Sequence, residues 1–113
     1  MRVLFVCSQN RLRSSTAEVV FSAVEGVEAL SAGMDSDAIT PISADLIEWA
    51  DLILAMERTH YRRLQERFGP LLKDKRISVL RIRDEYDYMD PELIRILRKK
   101  VPPLLRLQPH PPL

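Results

Sequence analysis

Hydrophobic and polar positions fall in short alternating blocks along the 113 residues. Residues 2–7 (Arg-Val-Leu-Phe-Val-Cys) form a β-branched and aromatic run, the pattern of a strand buried on both faces. A polar stretch follows, and from Ser14 the period changes, with Ala17, Val20, Phe21 and Val24 recurring at helical spacing. Ser14 or Ser15 can cap this helix, and Ser15 with Glu18 three residues on predicts a capping box. A second strand is expected over Val27–Ser31, closed by Ala32-Gly33, then a loop over 34–41 and a helix capped by Ser43. Asp51–Met56 repeats the fully buried strand pattern. Glu57–Phe68 reads as a helix with a basic outer face, ended by Gly69-Pro70. Arg76–Ile82 alternates, predicting a fourth and more exposed strand. After an acidic, tyrosine-bearing loop over 83–91, Asp90 caps a last helix with Pro91 at its first position and lysines at its negative end.

Strand–helix alternation with short connections predicts a doubly wound α/β domain with a parallel sheet and right-handed crossovers. The expected architecture is a three-layer domain with a four-stranded parallel sheet in the flavodoxin-like order 2-1-3-4 and helices on both faces. It should span residues 1–105 as one domain, with 106–113 as a flexible proline-rich tail, since five of the eight prolines follow Val101.

Composition changes this picture mainly by exclusion. Hydrophobic residues are 46% and charged residues 29%, a globular balance. A single cysteine, Cys7, excludes an internal disulfide and a multi-thiolate zinc site, and the two histidines, His60 and His110, are too far apart in sequence to suggest a histidine-rich metal site. No apolar run approaches the roughly 18–20 residues of a membrane span, and the first strand is too short for a secretory signal, so a cytoplasmic protein is expected. The net charge of +1 is uneven: residues 1–50 carry three Lys/Arg against seven Asp/Glu, and residues 51–113 carry fourteen against nine. The basic second half reads as solvated helix faces or as a surface that recruits a phosphorylated partner. Nucleic acid is not expected, because no aromatic or motif support accompanies the charge.

Ligands in such sheets bind beyond the carboxyl ends of the strands. The segment there is Cys7-Ser8-Gln9-Asn10-Arg11-Leu12-Arg13-Ser14. A loop wrapping into a helix start turns successive N–H groups inward and makes a nest for a tetrahedral anion. Arg13 offers a planar fork for two phosphoryl oxygens, and the positive surroundings favour a thiolate at Cys7. The alternative is that Cys7 is simply a small buried residue ending a strand.

The run V-L-F-V-C-S-Q-N-R-L-R-S-S-T-A-E-V-V-F resembles the opening of the low-molecular-weight protein tyrosine phosphatases, with their Cys-x-x-Asn-x-x-Arg-Ser after the first strand. Ser31-Ala32-Gly33 resembles the family's Ser-Ala-Gly, and Asp51-Leu-Ile-Leu-Ala-Met56-Glu57 its Asp-x-Ile-x-x-Met-Asp strand. The resemblance implies Cys7 as nucleophile, Arg13 as phosphate clamp and Ser14 as thiolate stabiliser. Asn10 would hold the loop in a left-handed turn, braced by Ser31, and Ser8, Gln9, Arg11 and Leu12 would complete the phosphate-binding loop. It implies a hydrolase that forms a phosphocysteine without metal or cofactor. Its partner would be a phosphorylated substrate, a phosphoprotein or a small aryl phosphate, and the protein a monomer or weak homodimer.

The general acid is expected at Asp84, in Asp84-Glu85-Tyr86, which resembles the family's Asp-Pro-Tyr with Glu85 for proline and Tyr86 beside the substrate. Asp90-Pro91 reads as a helix cap and Asp87 as a solvated carboxylate, and these two remain alternatives for the acid. Several positions depart from the family pattern. Gln9 replaces a glycine, and Leu12 replaces a second cysteine found in some members. The segment between Gly33 and Asp51 is much shorter, placing Met34 and Asp35 near where an aromatic wall would stand. A more open mouth follows, and Arg11 either contacts a second anionic group or is simply solvated. Besides the phosphatase, a phosphate-binding or regulatory module with weak catalysis fits the same residues.

Overall fold

The structure is a computed structural model that describes residues 1–106. Of the tail expected over 106–113, Arg106 is the last residue of the final helix, and 107–113 lie outside that range. The order of elements is β1 (Arg2–Cys7), α1 (Arg13–Ser22), β2 (Glu28–Gly33), α2 (Ala44–Trp49), β3 (Leu52–Ala55), α3 (Arg58–Phe68), a 3-10 turn (Gly69–Leu72), β4 (Arg76–Val79) and α4 (Pro91–Arg106). The four strands form one parallel sheet, as the alternation predicts, in the expected order β2-β1-β3-β4. Register places Cys7 opposite Gly33 and Val6 opposite Ala55, so the loops after β1, β2 and β3 emerge together at one end.

Two cores cover the sheet. Val3, Phe5 and Cys7 on one face of β1 pack with Phe21, Leu52, Leu54, Leu93 and Leu97 from α1, β3 and α4. Leu4 and Val6 on the opposite face pack with Met34, Ile47, Ile53 and Leu64, under α2 and α3. Alternation of side chains across each strand feeds both cores, which is why β1 and β3 read as unbroken apolar runs. β4 is an edge strand of half-buried residues, shorter than the run through Ile82.

Three local expectations change. Glu18 does not close a capping box with Ser15: α1 starts at Arg13 with Leu12 at its cap, and the Glu18 carboxylate accepts from Ser31 Oγ at 2.6 Å. β2 extends two residues further, to Gly33, because its last residues pair with the end of β1. α4 runs through Pro102 and Pro103 to Arg106. The carbonyls these prolines leave without a helical donor belong to Arg98 and Lys99, both exposed residues, where solvent can take the place of the missing N–H groups. The expected caps hold for two helices: Ser43 Oγ accepts from Leu46 N–H, and Asp90 Oδ1 accepts from Glu92 N–H.

Candidate active site

The chain leaves β1 at Cys7 and reaches α1 in five residues, which leaves no room for anything but a tight wrap. Asn10 turns it with φ of +58°, a left-handed conformation that asparagine tolerates better than most residues. Its N–H donates to Cys7 Sγ at 3.2 Å. Its Oδ1 accepts from Ser14 Oγ at 2.8 Å, and its carbonyl from Ser15 Oγ at 2.5 Å. Ser14 Oγ also lies 2.9 Å from Cys7 Sγ. That hydroxyl has one proton and two acceptors. A thiol at Cys7 can donate to it while it donates to Asn10; a thiolate draws the Ser14 proton to sulfur.

Because Leu12 offers no capping side chain, the first turn of α1 keeps its N–H groups open. Among the described residues no acceptor takes the N–H of Ser8, Gln9, Arg11, Leu12 or Arg13. These same residues, with Cys7 and Asp84, line a hollow of about 350 Å³. Open amides around one concavity at the positive end of a helix favour an anion there.

Arg13 is the buried cation of the site, 3% exposed. Its Nη1 donates to Glu57 Oε1 at 2.5 Å and to the Ile82 carbonyl at 2.7 Å, while its Nε stands 3.7 Å from Asp84 Oδ1. One edge of the guanidinium is thereby anchored. Asp84 is about two-thirds exposed, and of the acidic candidates it alone lines the hollow. Asp90 is occupied as the cap of α4, and the Asp87 carbonyl accepts from Asp90 N–H.

Some expected site residues sit elsewhere. Tyr86 is not in the lining; it packs half-buried against the core and borders a separate depression with Arg83, Ile96 and Lys100, because the chain after Asp84 turns back toward α4. Ser31 braces Glu18 rather than Asn10. Met34 is core, 1% exposed, and makes no wall. Asp35 pairs with Arg63 at 2.9 Å, and the Met34 carbonyl accepts from Arg63 and Arg67. Part of the basic face of α3 therefore fastens the loop after β2. That loop in turn holds the anion cradle: Met34, Asp35 and Ile39 N–H groups donate to the carbonyls of Cys7, Ser8 and Gln9.

Two residues at the head of α3 were not among the sequence candidates. Glu57 and His60 form a capping box, with His60 Nδ1 accepting from Glu57 N–H at 3.0 Å and the Glu57 side chain accepting from the His60 amide. His60 Nε2 lies 3.0 Å from Ser8 Oγ. Burial, and next the nearby Arg13 charge, lower the His60 pKa from 6.5 to about 4, against the opposing pull of Glu57. The Glu57-x-x-His60 spacing and the need of a buried arginine for a carboxylate are the signals that could have found them. No group of three or more metal-binding side chains occurs among the described residues, and no described helix is long and apolar enough to cross a membrane.

Solved structures share this fold along nearly the whole chain. A YwlE arginine phosphatase from Geobacillus stearothermophilus is 25% identical, with 97% of this chain and 99% of that one aligned at a TM-score of 0.68. A low-molecular-weight protein tyrosine phosphatase from T. tengcongensis is also 25% identical, over 95% and 99% of the two chains, with a TM-score of 0.72. SP-PTP, a low-molecular-weight protein tyrosine phosphatase from Streptococcus pyogenes, is 20% identical over 96% and 93%, with a TM-score of 0.75. No protein-family model matches the sequence, and a search of curated proteins returns no match. The chain has the fold of low-molecular-weight protein tyrosine phosphatases, in agreement with the resemblance carried by its first strand and loop.

Proposed function

We propose that this protein is a cysteine-dependent phosphomonoester hydrolase that acts through a phosphocysteine on aryl phosphates such as phosphotyrosine. The observation that carries the reading is Cys7 Sγ in hydrogen-bonding reach of Asn10 N–H and Ser14 Oγ, at a hollow also lined by Arg13 and Asp84. The phosphoryl group binds among the open amides with Arg13 on its equatorial oxygens. The thiolate attacks phosphorus, forming S–P as the P–O bond to the leaving group breaks, and Asp84 delivers a proton to the departing oxygen. Water then attacks the phosphocysteine, its proton passing to Asp84, and phosphate leaves with the thiolate restored. Ser14 stabilises sulfur at both ends of the cycle. The amides and Arg13 stabilise charge on a loose transition state.

Solved neighbours of the fold include an arginine phosphatase seen as a cysteine-to-serine variant with a phosphorylated active-site serine, which supports covalent chemistry on this framework. The substrate is better argued from Arg11. It lines the hollow, and no described ion pair engages it, so a leaving group that carries a positive guanidinium beside the phosphoryl group, as in phosphoarginine, is disfavoured relative to a neutral or anionic aryl group. Steady-state hydrolysis of an aryl phosphate by wild type and by Cys7→Ser tests the mechanism. The variant should lose at least about a thousandfold in kcat. Equal rates defeat the proposal, and phosphate binding by a wild type without turnover favours the phosphate-binding module.

A further inference from the structure

One buried imidazole under the pocket takes no part in the displacement at Cys7. His60 is 2% exposed, and the Glu57 N–H bonded to its Nδ1 makes that atom an acceptor. A neutral ring then carries its proton on Nε2, and that N–H faces the Ser8 oxygen at 3.0 Å. The Ser8 hydroxyl therefore receives a hydrogen bond from below and keeps its own proton. Among the described residues no acceptor takes that proton, and Ser8 lines the hollow. We propose that His60 is a positioning residue that holds the Ser8 hydroxyl with its proton turned into the pocket, adding a side-chain donor for the phosphoryl group to the loop amides and Arg13. This rests on the phosphatase reading of the site. The first turn of α3 then sets two donors at once, Ser8 through the imidazole and Arg13 through the carboxylate of the same Glu57.

The charged groups facing the ring are Arg13 from α1, Glu57 and Arg63 at the head and middle of α3, and Asp35 from the loop after β2. With its pKa near 4, the imidazole stays neutral through the neutral range, so the polarity of the Ser8 hydroxyl does not change there.

Asparagine at position 60 can reproduce the Nδ1 acceptor and keep the cap, but it is too short to reach Ser8. Glutamine can place a nitrogen donor near the position of Nε2 while losing the cap. The test compares Ser8→Ala, His60→Asn, their double variant and His60→Gln for aryl phosphate hydrolysis. It also titrates inorganic phosphate by calorimetry into the same variants made in a Cys7→Ser background, with thermal melting to establish folding. Ser8→Ala and His60→Asn should each weaken phosphate binding and lower kcat/KM about tenfold, the size of one hydrogen bond to a charged group. The double variant should fall no further, and His60→Gln should recover most of the loss despite a lower Tm. Wild-type behaviour in folded His60→Asn, or a double variant that loses the product of the two single effects, overturns the role. The phosphate titration needs no turnover. A loss of affinity in His60→Asn without any hydrolysis by wild type would uphold the positioning role while defeating the hydrolase; unchanged affinity with active wild type would do the reverse.

Discussion

The two loops that meet at the pocket are built in opposite ways. The cradle from Cys7 to Ser14 is tied at almost every residue: Asn10 and Ser14 hold its inside, the segment 34–41 holds its carbonyls, and His60 and Glu57 hold Ser8 and Arg13 from beneath. The acidic loop over 83–90 is held more sparsely, near its ends and by Tyr86, which packs half-buried against the core. Lys100 Nζ grips the Leu80 carbonyl at 2.8 Å, and Met89 N–H donates to Thr16 Oγ1 at 2.9 Å, while Asp84, Glu85, Asp87 and Tyr88 between them are exposed. A rigid cradle suits a group that must stabilise charge without rearranging. A proton donor needs reach and access to water, and a sparsely held, exposed loop supplies them.

If that division of labour holds, removing the acid should damage chemistry and spare binding. Asp84→Asn is expected to lower kcat on an aryl phosphate by about 10²–10⁴-fold, the range for general acid–base groups. Phosphate affinity should stay the same or rise, since a carboxylate 3.7 Å from Arg13 Nε is gone. Melting should be unchanged, because the side chain is exposed. Rapid-quench kinetics should show phosphoenzyme accumulating if the base for its hydrolysis has been removed. Unchanged kcat would move the acid to Asp87 or Asp90, and lost phosphate binding would mean that the exposed loop is part of the cradle.

The stability of the folded protein should depend on pH through His60, which sits beneath the cradle. The folded protein holds this ring neutral down to about pH 4, whereas the unfolded chain protonates it near 6.5. Between those values the unfolded state binds more protons, so stability falls as the pH drops from 6.5 toward 4 and levels off below. The difference corresponds to about 3 kcal/mol. Urea midpoints between pH 7 and 4 should show that loss in wild type and a smaller one in His60→Asn. Identical slopes would place the acid sensitivity in the carboxylates instead.

The same contrast explains what could be read from sequence. β1 and β3 are buried on both faces, so their apolar runs leave no alternative; the strand–helix alternation predicts the parallel sheet, and the expected order 2-1-3-4 is found. Cys7, Asn10, Arg13 and Ser14 lie within eight residues, and local chemistry brings them together. What escaped sequence reasoning acts across distance. Glu57 and His60 reach the cradle from 44 and 52 residues away, and a capping pair looks like helix punctuation until the tertiary neighbour is known. Tyr86 went astray because its position depends on how the chain turns after Asp84, and in this chain it turns toward the core. Ser31 went astray because Glu18, read as a cap for its own helix, takes the Ser31 hydroxyl proton instead.

Gly33 gives the smallest of these effects and the sharpest local test of the cradle's support. Its conformation needs no glycine, but its surroundings do: an added Cβ would lie 2.5 Å from the Ser8 carbonyl oxygen, 2.5 Å from Ala38 Cβ and 3.0 Å from the Asn10 amide nitrogen. Two of those three atoms are backbone of the anion loop, and the third belongs to the segment that holds it. Gly33→Ala must therefore push the loop or its support outward, at a cost of about 1–3 kcal/mol typical of overpacking. Chemical denaturation should show that loss. Phosphate affinity should fall in parallel, since the shifted atoms flank Cys7 and its amide donor. A Gly33→Ala protein that is less stable but binds phosphate normally would mean that the cradle keeps its geometry without the loop behind it, held by Asn10 and Ser14 within and by Glu57 and His60 beneath.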